Sequence, residues 1–306
     1  SYFLDRIHFI LKIILYHALL SFLCYFFLKG YLIKLYGGWG NEYVADSFYY
    51  LFFYDAEKYN FSLFGIEFVR NQGWFWEPGI LQIFLNILLF IEGFVVKKNK
   101  WTIFLLIFAI ITTYSTTGIL IMLILLILIF WSDIRRNPLV IIFAIGLLLP
   151  LFYVAETNIE NKTTGERSSS FQKRYLDLVQ PFAIASDYPI TGVGLDRDFF
   201  QKFRSRFQME DDFGKILQTS TGLERIAQST EKGSSNSLTY LIAAMGFPSA
   251  FFLFYCLLKQ NLFTKRKGIF MTIVIISLFS EPLLLRPFFL ILVVSGMFSF
   301  FNKFTK

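Results

Sequence analysis

Residues 101–131, WTIFLLIFAIITTYSTTGILIMLILLILIFW, carry no charged side chain and settle what kind of molecule this is. A helix needs about 20 residues to cross the hydrocarbon core of a bilayer, so the run is too long for one upright span. Its middle, TTYSTTG at 112–118, gathers hydroxyls and a glycine, the composition of a tight turn. We read two membrane helices joined there, the first short, with a single tilted helix as the alternative. Charge favours the pair. Lys97, Lys98 and Lys100 precede the run, and Arg135 and Arg136 follow it. Two helices return both clusters to the same side, as the bias of Lys and Arg toward cytoplasmic connectors expects, whereas one helix would separate them.

Further apolar runs lie at 7–28, 78–96, 138–155, 238–258, 269–279 and 287–301. With the pair above, eight spans are expected. The first run starts almost at Ser1, without the n-region and cleavage site of a signal peptide, so this number is a minimum. Residues 156–235 interrupt the pattern with 11 Lys/Arg and 12 Asp/Glu. The expected fold is therefore all-α: a polytopic integral membrane helix bundle with one large periplasmic loop containing helices. Its parts are N-terminal membrane helices at 1–155, the loop at 156–235, and C-terminal membrane helices at 236–306. Within the loop, apolar spacing predicts a helix over 171–184 and an amphipathic one over 198–213. Residues 29–77 read as a polar and aromatic connector. Both long connectors, the 112–117 turn and the 280–286 tip then share the non-cytoplasmic face.

Composition excludes several classes. At 55% hydrophobic residues, 40 Phe and a mean hydropathy of +0.55, a soluble domain would expose large apolar patches. The net charge of +7 sits in short connectors, and the long loop is near neutral, so no platform for nucleic acid exists. His8 and His17, the only histidines, both lie in the first run, and Cys24 and Cys256 lie far apart in apolar runs. That pattern offers no zinc site and no histidine-based triad. A base acting on a sugar hydroxyl would have to be a carboxylate or the substrate's own phosphate.

Candidate site residues cluster on the non-cytoplasmic side. Glu77 precedes Pro78, near a helix N-terminus that favours negative charge, and Arg70 lies just upstream. The pair serves either to fix the loop as an ion pair or to bind and process a diphosphate ester. Trp74 and Trp76 fit sugar or lipid contacts, or an interfacial belt. Arg167 and Arg174 lie at the start of the long loop's helix, where an arginine fork can hold two phosphoryl oxygens or a surface cluster can meet lipid headgroups. Asn236 opens the next helix, as a cap or a substrate contact. Glu281 and Arg286 flank a proline-bounded hairpin tip and either pair with each other or join the same cavity.

These segments, in order, resemble the O-antigen polymerase and O-antigen ligase superfamily of bacterial envelope proteins. Arg70 with Gly73-Trp74-Phe75-Trp76-Glu77-Pro78 is similar to the superfamily's arginine and glycine-aromatic-Glu-Pro helix start. The turn Thr113-Tyr114-Ser115-Thr116-Thr117-Gly118 is similar to its hydroxyl-rich turn. Arg174 resembles an arginine early in the large loop, Pro189-Ile190-Thr191-Gly192-Val193-Gly194 resembles the Pro-x-x-Gly-x-Gly closure, and Asn236-Ser237 with Gly246 resembles the following helix. The resemblance implies a metal-independent glycosyltransferase of the inner (cytoplasmic) membrane, active on its periplasmic face. Its donor is an oligosaccharide on undecaprenyl diphosphate, which is already activated, so no nucleotide or other cofactor is required. Arg70 and Arg174 would neutralise the leaving diphosphate, and Glu77 would position or deprotonate the acceptor hydroxyl. Arg167, Trp74, Trp76, Asn236, Glu281 and Arg286 would contact substrate. Expected partners are the lipid-linked saccharide, membrane lipids and a chain-length regulator protein, and no nucleic acid. Two departures matter: Thr116 stands where many members carry arginine, and Ser235 stands where the ligase branch carries histidine. The first leaves less positive charge at the outer cavity, and the second, with no histidine anywhere in the loop, favours a repeat-unit polymerase of O-antigen or capsule type, with ligase and lipid-linked saccharide transporter as alternatives.

Overall fold

A computed structural model describes residues 2–37, 42–56, 60–63, 66–136, 168–206 and 236–302. The chain divides into two compact units, Ser1–Thr157 with Lys265–Ile273, and Asn158–Thr264 with Val274–Lys306. The expected span at 138–155 and residue Arg167 lie outside the described residues.

In the first unit, α1 (Tyr2–Leu28), α3 (Lys100–Thr112) and α4 (Thr116–Ile129) pack around α2 (Pro78–Phe90). Every residue of α2 except Gly79 and Phe84 is buried, as its nearly continuous apolar sequence requires. Pro78 fits the first helical turn, where no N–H partner is needed. Asn99 caps α3 by accepting from the Trp101 and Thr102 amides, and Ser115 caps α4 by accepting from Gly118. The 31-residue apolar run is therefore two helices broken at Thr113–Ser115, where Tyr114 takes a φ of 49°. After α2 the chain widens into a π turn, Ile91–Val95. There the buried Glu92 meets His8 Nε2 at 2.7 Å and Lys12 Nζ at 3.3 Å, which pairs a carboxylate that apolar surroundings could not hold alone. The short helix α5 (Trp131–Arg136) follows α4.

An all-α fold is corrected by residues 33–69. Strands β1 (Ile33–Gly37), β2 (Glu42–Phe48) and β3 (Phe52–Tyr54) form an antiparallel sheet, and β4 (Asn60–Leu63) pairs with β5 (Ile66–Val69). The register sets Ser47 against Phe53 and Phe48 against Phe52. Aromatic and β-branched residues favour a pleated, half-buried surface. Phe52 and Tyr54 turn inward onto Tyr25 and Val69, while Phe53 between them is only partly buried. Tyr54 donates its hydroxyl to the Ser21 carbonyl at 2.8 Å and so ties the sheet to α1.

The second unit holds α6 (Ser168–Asp187), α7 (Arg197–Arg206), α8 (Ser237–Lys259), α10 (Pro287–Phe301) and the latter half of α9 (Lys267–Ser280), whose first residues count with the first unit. Helix α6 runs through Pro181, and α8 packs against both α6 and α10. Gly296 makes the last contact possible, because a Cβ there would overlap the Cys256 carbonyl. Ile184, Val193, Phe200 and Ala243 form the buried cluster joining α6, α7 and α8.

Among the described residues, three helical segments are long and apolar enough to cross a membrane: Tyr2–Tyr31, Pro78–Val95 and Ser237–Lys259. Helices α3, α4, α9 and α10 are apolar but have 13, 14, 14 and 15 residues. At about 1.5 Å per residue they fall short of a full upright crossing, so among the described residues three of the expected eight spans have crossing length. The molecule is helix-rich, with candidate membrane segments and a small open sheet.

Candidate functional site

In the first unit, the segment before α2 closes onto the α3–α4 turn. Arg70 Nε donates to the Thr113 carbonyl at 2.9 Å, and the Asn71 amide donates to the Thr112 carbonyl at 3.0 Å. The Asn71 side chain donates to the Ala18 carbonyl and to Thr112 Oγ1, both at 3.0 Å, and accepts from the Gly73 amide at 3.2 Å. One buried asparagine thus joins α1, α3 and the approach to α2. Two segments about 40 residues apart in sequence, both singled out by their motifs, are neighbours because these carbonyls have left their helix ladder and take new donors.

Glu77 occupies the cap position of α2 in extended conformation, its carbonyl accepting from Ile80 at 3.1 Å and its side chain making no cap hydrogen bond. Trp74 and Trp76 are each half exposed. Trp74 stacks on His17, ring centroids 4.0 Å apart and planes 28° apart. His17 Nε2 donates to the Leu51 carbonyl at 3.0 Å. Sequence reasoning set His17 aside as one of two histidines in an apolar run. Only the polarity of that residue within a membrane-like helix could have flagged it.

Further along the helix, α2 presents Gln82 and Asn86 to Gly118 of α4. Asn86 Nδ2 donates to the Gly118 carbonyl at 3.1 Å and to Gln82 Oε1 at 3.0 Å. Gln72 Oε1, Gln82 Nε2, Asn86 Oδ1 and His17 Nδ1 are buried without a hydrogen-bond partner. Buried polar atoms of this kind are costly unless something satisfies them.

In the second unit, the 189–194 segment repairs a broken helix. Helix α8 is interrupted at Gly246 (φ 73°, ψ 168°), two residues before Pro248. Proline has no N–H, so the Ala244 carbonyl loses its partner four residues on. The Gly194 amide donates to that carbonyl at 2.8 Å, Val193 donates to Ala243 at 2.9 Å, and Phe247 donates to Pro189 at 2.8 Å. A Cβ on Gly192 would collide with the Ala244 backbone, and one on Gly246 with Ile190. The Pro-x-x-Gly-x-Gly spacing is thus a backbone complement for a helix break.

At the start of α8, Asn236 accepts from Leu238 and Thr239 at 2.9 and 3.2 Å, so it caps the helix. Ser237 Oγ donates to the Glu281 carbonyl at 2.8 Å and accepts from Leu283 at 2.7 Å. Thr239 Oγ1 donates to the Asp177 carbonyl at 2.9 Å. Asp177 and Glu281 are both buried, and Arg286 is exposed at the cap of α10. Asp177 escaped notice because it reads as a polar residue on an amphipathic helix. Arg174 lies on α6 one turn before Asp177; its side chain lies outside the described residues. Arg70 therefore belongs to the first unit and Arg174 to the second. No group of three or more His, Cys, Asp or Glu among the described residues is placed to hold a metal ion.

Residues 101–226 match the family model described as O-antigen ligase. The matched part is under half the chain and includes the α3–α4 turn, Arg174 and the segment that repairs α8. No curated protein and no solved structure matches the chain. The match supports an enzyme of the O-antigen ligase and polymerase superfamily, associated with a membrane. The family's description is that of the ligase reading, which the sequence motifs had placed behind polymerisation.

Proposed function

We propose that the protein is a glycosyltransferase that moves a glycan from a polyprenyl diphosphate to a sugar hydroxyl. The reading is supported above all by the way the segments that carry the resemblance pack in pairs. Arg70 and Asn71 bond to the α3–α4 turn, and residues 189–194 bond to the break in α8. The acceptor oxygen attacks the anomeric carbon, the bond from that carbon to the diphosphate breaks, and the diphosphate departs with the electron pair. Charge grows on the diphosphate as that bond breaks, so a guanidinium fixed beforehand stabilises the transition state more than the ground state. Arg70 is proposed for this role, its Nε already held by Thr113. Arg174 is proposed as a second required cation, and Glu77 as the group that positions the acceptor hydroxyl or takes its proton. Trp74 and Trp76 are proposed substrate contacts, with Arg167, Asn236, Glu281 and Arg286 as further ones. The bias of Lys and Arg toward cytoplasmic connectors supports a non-cytoplasmic position for the Arg70 end of the helices.

The matched family favours a lipid A-core or similar acceptor, which makes ligation the leading reading. Polymerisation keeps one specific support: Ser235 replaces the ligase histidine, and residues 156–235 contain none. The purified protein incubated with an undecaprenyl-diphosphate-linked repeat unit distinguishes them. Product only when lipid A-core is added indicates a ligase, and chains of two or more units without it indicate a polymerase. Failure to release undecaprenyl diphosphate under either condition removes the transferase reading.

A further inference from the structure

The turn joining β2 to β3 is built in an unusual way. Tyr49 and Tyr50 hold φ of 46° and 60°, closed by a Leu51 amide to Phe48 carbonyl hydrogen bond of 2.9 Å. Left-handed conformations at both central positions suit Asn-Gly, and bulky aromatic residues rarely adopt them. The fold nevertheless enforces the geometry. Buried Ser47 accepts from the Tyr50 amide at 3.0 Å and donates to the Phe52 carbonyl at 3.0 Å, while His17 grips the Leu51 carbonyl from α1. Tyr49 and Tyr50 are 75% and 69% exposed. His17 also carries Trp74 on its ring face and lies 5.4 Å from the Phe52 centroid. The imidazole therefore fastens two exposed aromatic features to one point on α1.

We propose that Trp74 and the Tyr49–Tyr50 turn, fastened together by His17, form a stacking platform for a pyranose ring. The apolar C–H face of a sugar lies on aromatic rings, and its hydroxyls seek acceptors beside them. His17 supplies such an acceptor: with Nε2–H given to Leu51, Nδ1 keeps its lone pair, which is buried and has no partner. Sugar binding requires the half-exposed Trp74 indole to move, so that a hydroxyl reaches that atom. An interfacial belt requires neither a strained, pinned turn nor an unmet acceptor, because lipid tails offer no donor. Strain held in place by surrounding contacts is a mark of sites that present groups to a ligand. The choice of a saccharide as ligand rests on the glycosyl-transfer reading above, and the placement of the rings does not.

Saturation-transfer NMR on the full chain in nanodiscs, with a panel of methyl pyranosides and disaccharides, tests the platform without requiring turnover. At least one saccharide is expected to receive saturation on one ring face. Trp74→Leu should reduce the transfer fivefold or more. Tyr49→Asn combined with Tyr50→Gly should do the same while raising the thermal midpoint, since it relieves the turn. His17→Phe keeps a ring beside Trp74 but removes both the Nδ1 acceptor and the Nε2–H bond to Leu51, so it should weaken binding and lower the midpoint together, which leaves the stable Asn-Gly variant as the deciding one. Equal saturation in wild type and in the stable Asn-Gly variant overturns the proposal. So does the absence of saturation from every saccharide, above all if shallow spin-labelled lipids quench Trp74 emission. Loss of binding in these variants with an Arg70→Ala protein still binding sugar would separate the platform from the proposed chemistry. Sugar binding in a protein that releases no undecaprenyl diphosphate would uphold the platform while the transferase reading fails.

Discussion

Replacing Gly246 by alanine tests the account of the broken helix. Its backbone, at φ 73° and ψ 168°, lies in a region that is nearly glycine-only and costs another residue about 1–3 kcal/mol. A Cβ at Gly246 would also overlap the Ile190 backbone, so the 189–194 segment must move away. That movement sacrifices the Val193, Gly194 and Phe247 amide hydrogen bonds, each worth about 1 kcal/mol net. Together the substitution should destabilise the second unit by about 4–6 kcal/mol. Cys256 is fully buried in α8 and reports opening of this unit. In a Cys24→Ala background, its alkylation by a maleimide should accelerate roughly 10³- to 10⁴-fold, given a tenfold change for every 1.4 kcal/mol or so. Gly194→Ala is the internal control. Its φ is 98°, but nothing lies within 4 Å of an added Cβ, so only backbone strain of about 1–2 kcal/mol is expected. If Gly246→Ala labels no faster than Gly194→Ala, the close approach of the two segments is wrong.

Other expectations follow from the same geometry. Asn71→Ala leaves the Gly73 amide without its acceptor and removes both donors to α1 and α3, so the first unit should lose about 2–4 kcal/mol. Tryptophan emission reads this directly, since all five tryptophans fall in that unit; an unchanged unfolding midpoint would contradict it. Arg174→Ala should abolish glycan transfer with the protein still folded, and Arg70→Lys should lower it about 100-fold, measured by release of undecaprenyl diphosphate; a normal product distribution in either variant would count against the assigned role. Burial pushes the Tyr54 phenol up to about 12, although the Ser21 side chain works in the opposite direction. The unfolded phenol ionises first, near about 10, so Tyr54 contributes its stabilisation below that pH and loses it as pH rises toward about 12. Wild type should therefore weaken relative to Tyr54→Phe across that window in thermal melts, and parallel curves would refute the assignment.

Local composition was enough to reveal the helices. The uncharged run at 101–131 could satisfy its backbone only by closing hydrogen bonds within itself, and its hydroxyl-glycine centre marked where those bonds stop. Likewise Pro78, Asn236 and the 189–194 turn announced helix starts and a chain reversal through short-range chemistry, where each residue's own torsions and donors set the outcome. The sheet at 33–69 was also within reach, because FYYLFFY at 48–54 is an aromatic strand signal; reading the region by its polarity hid it.

What a linear pattern does not encode is which distant groups share a cost. His17 looked inert until Trp74 and Leu51 were found against it, and Asn71 looked like loop until it met Ala18 and Thr112. The glycines at 192 and 246 matter because two backbones from separate segments approach too closely for side chains, a constraint invisible to either segment alone. These contacts depend on long-range packing that aligns one unpaired carbonyl or amide with another. Chain folding, rather than local preference, supplies that alignment.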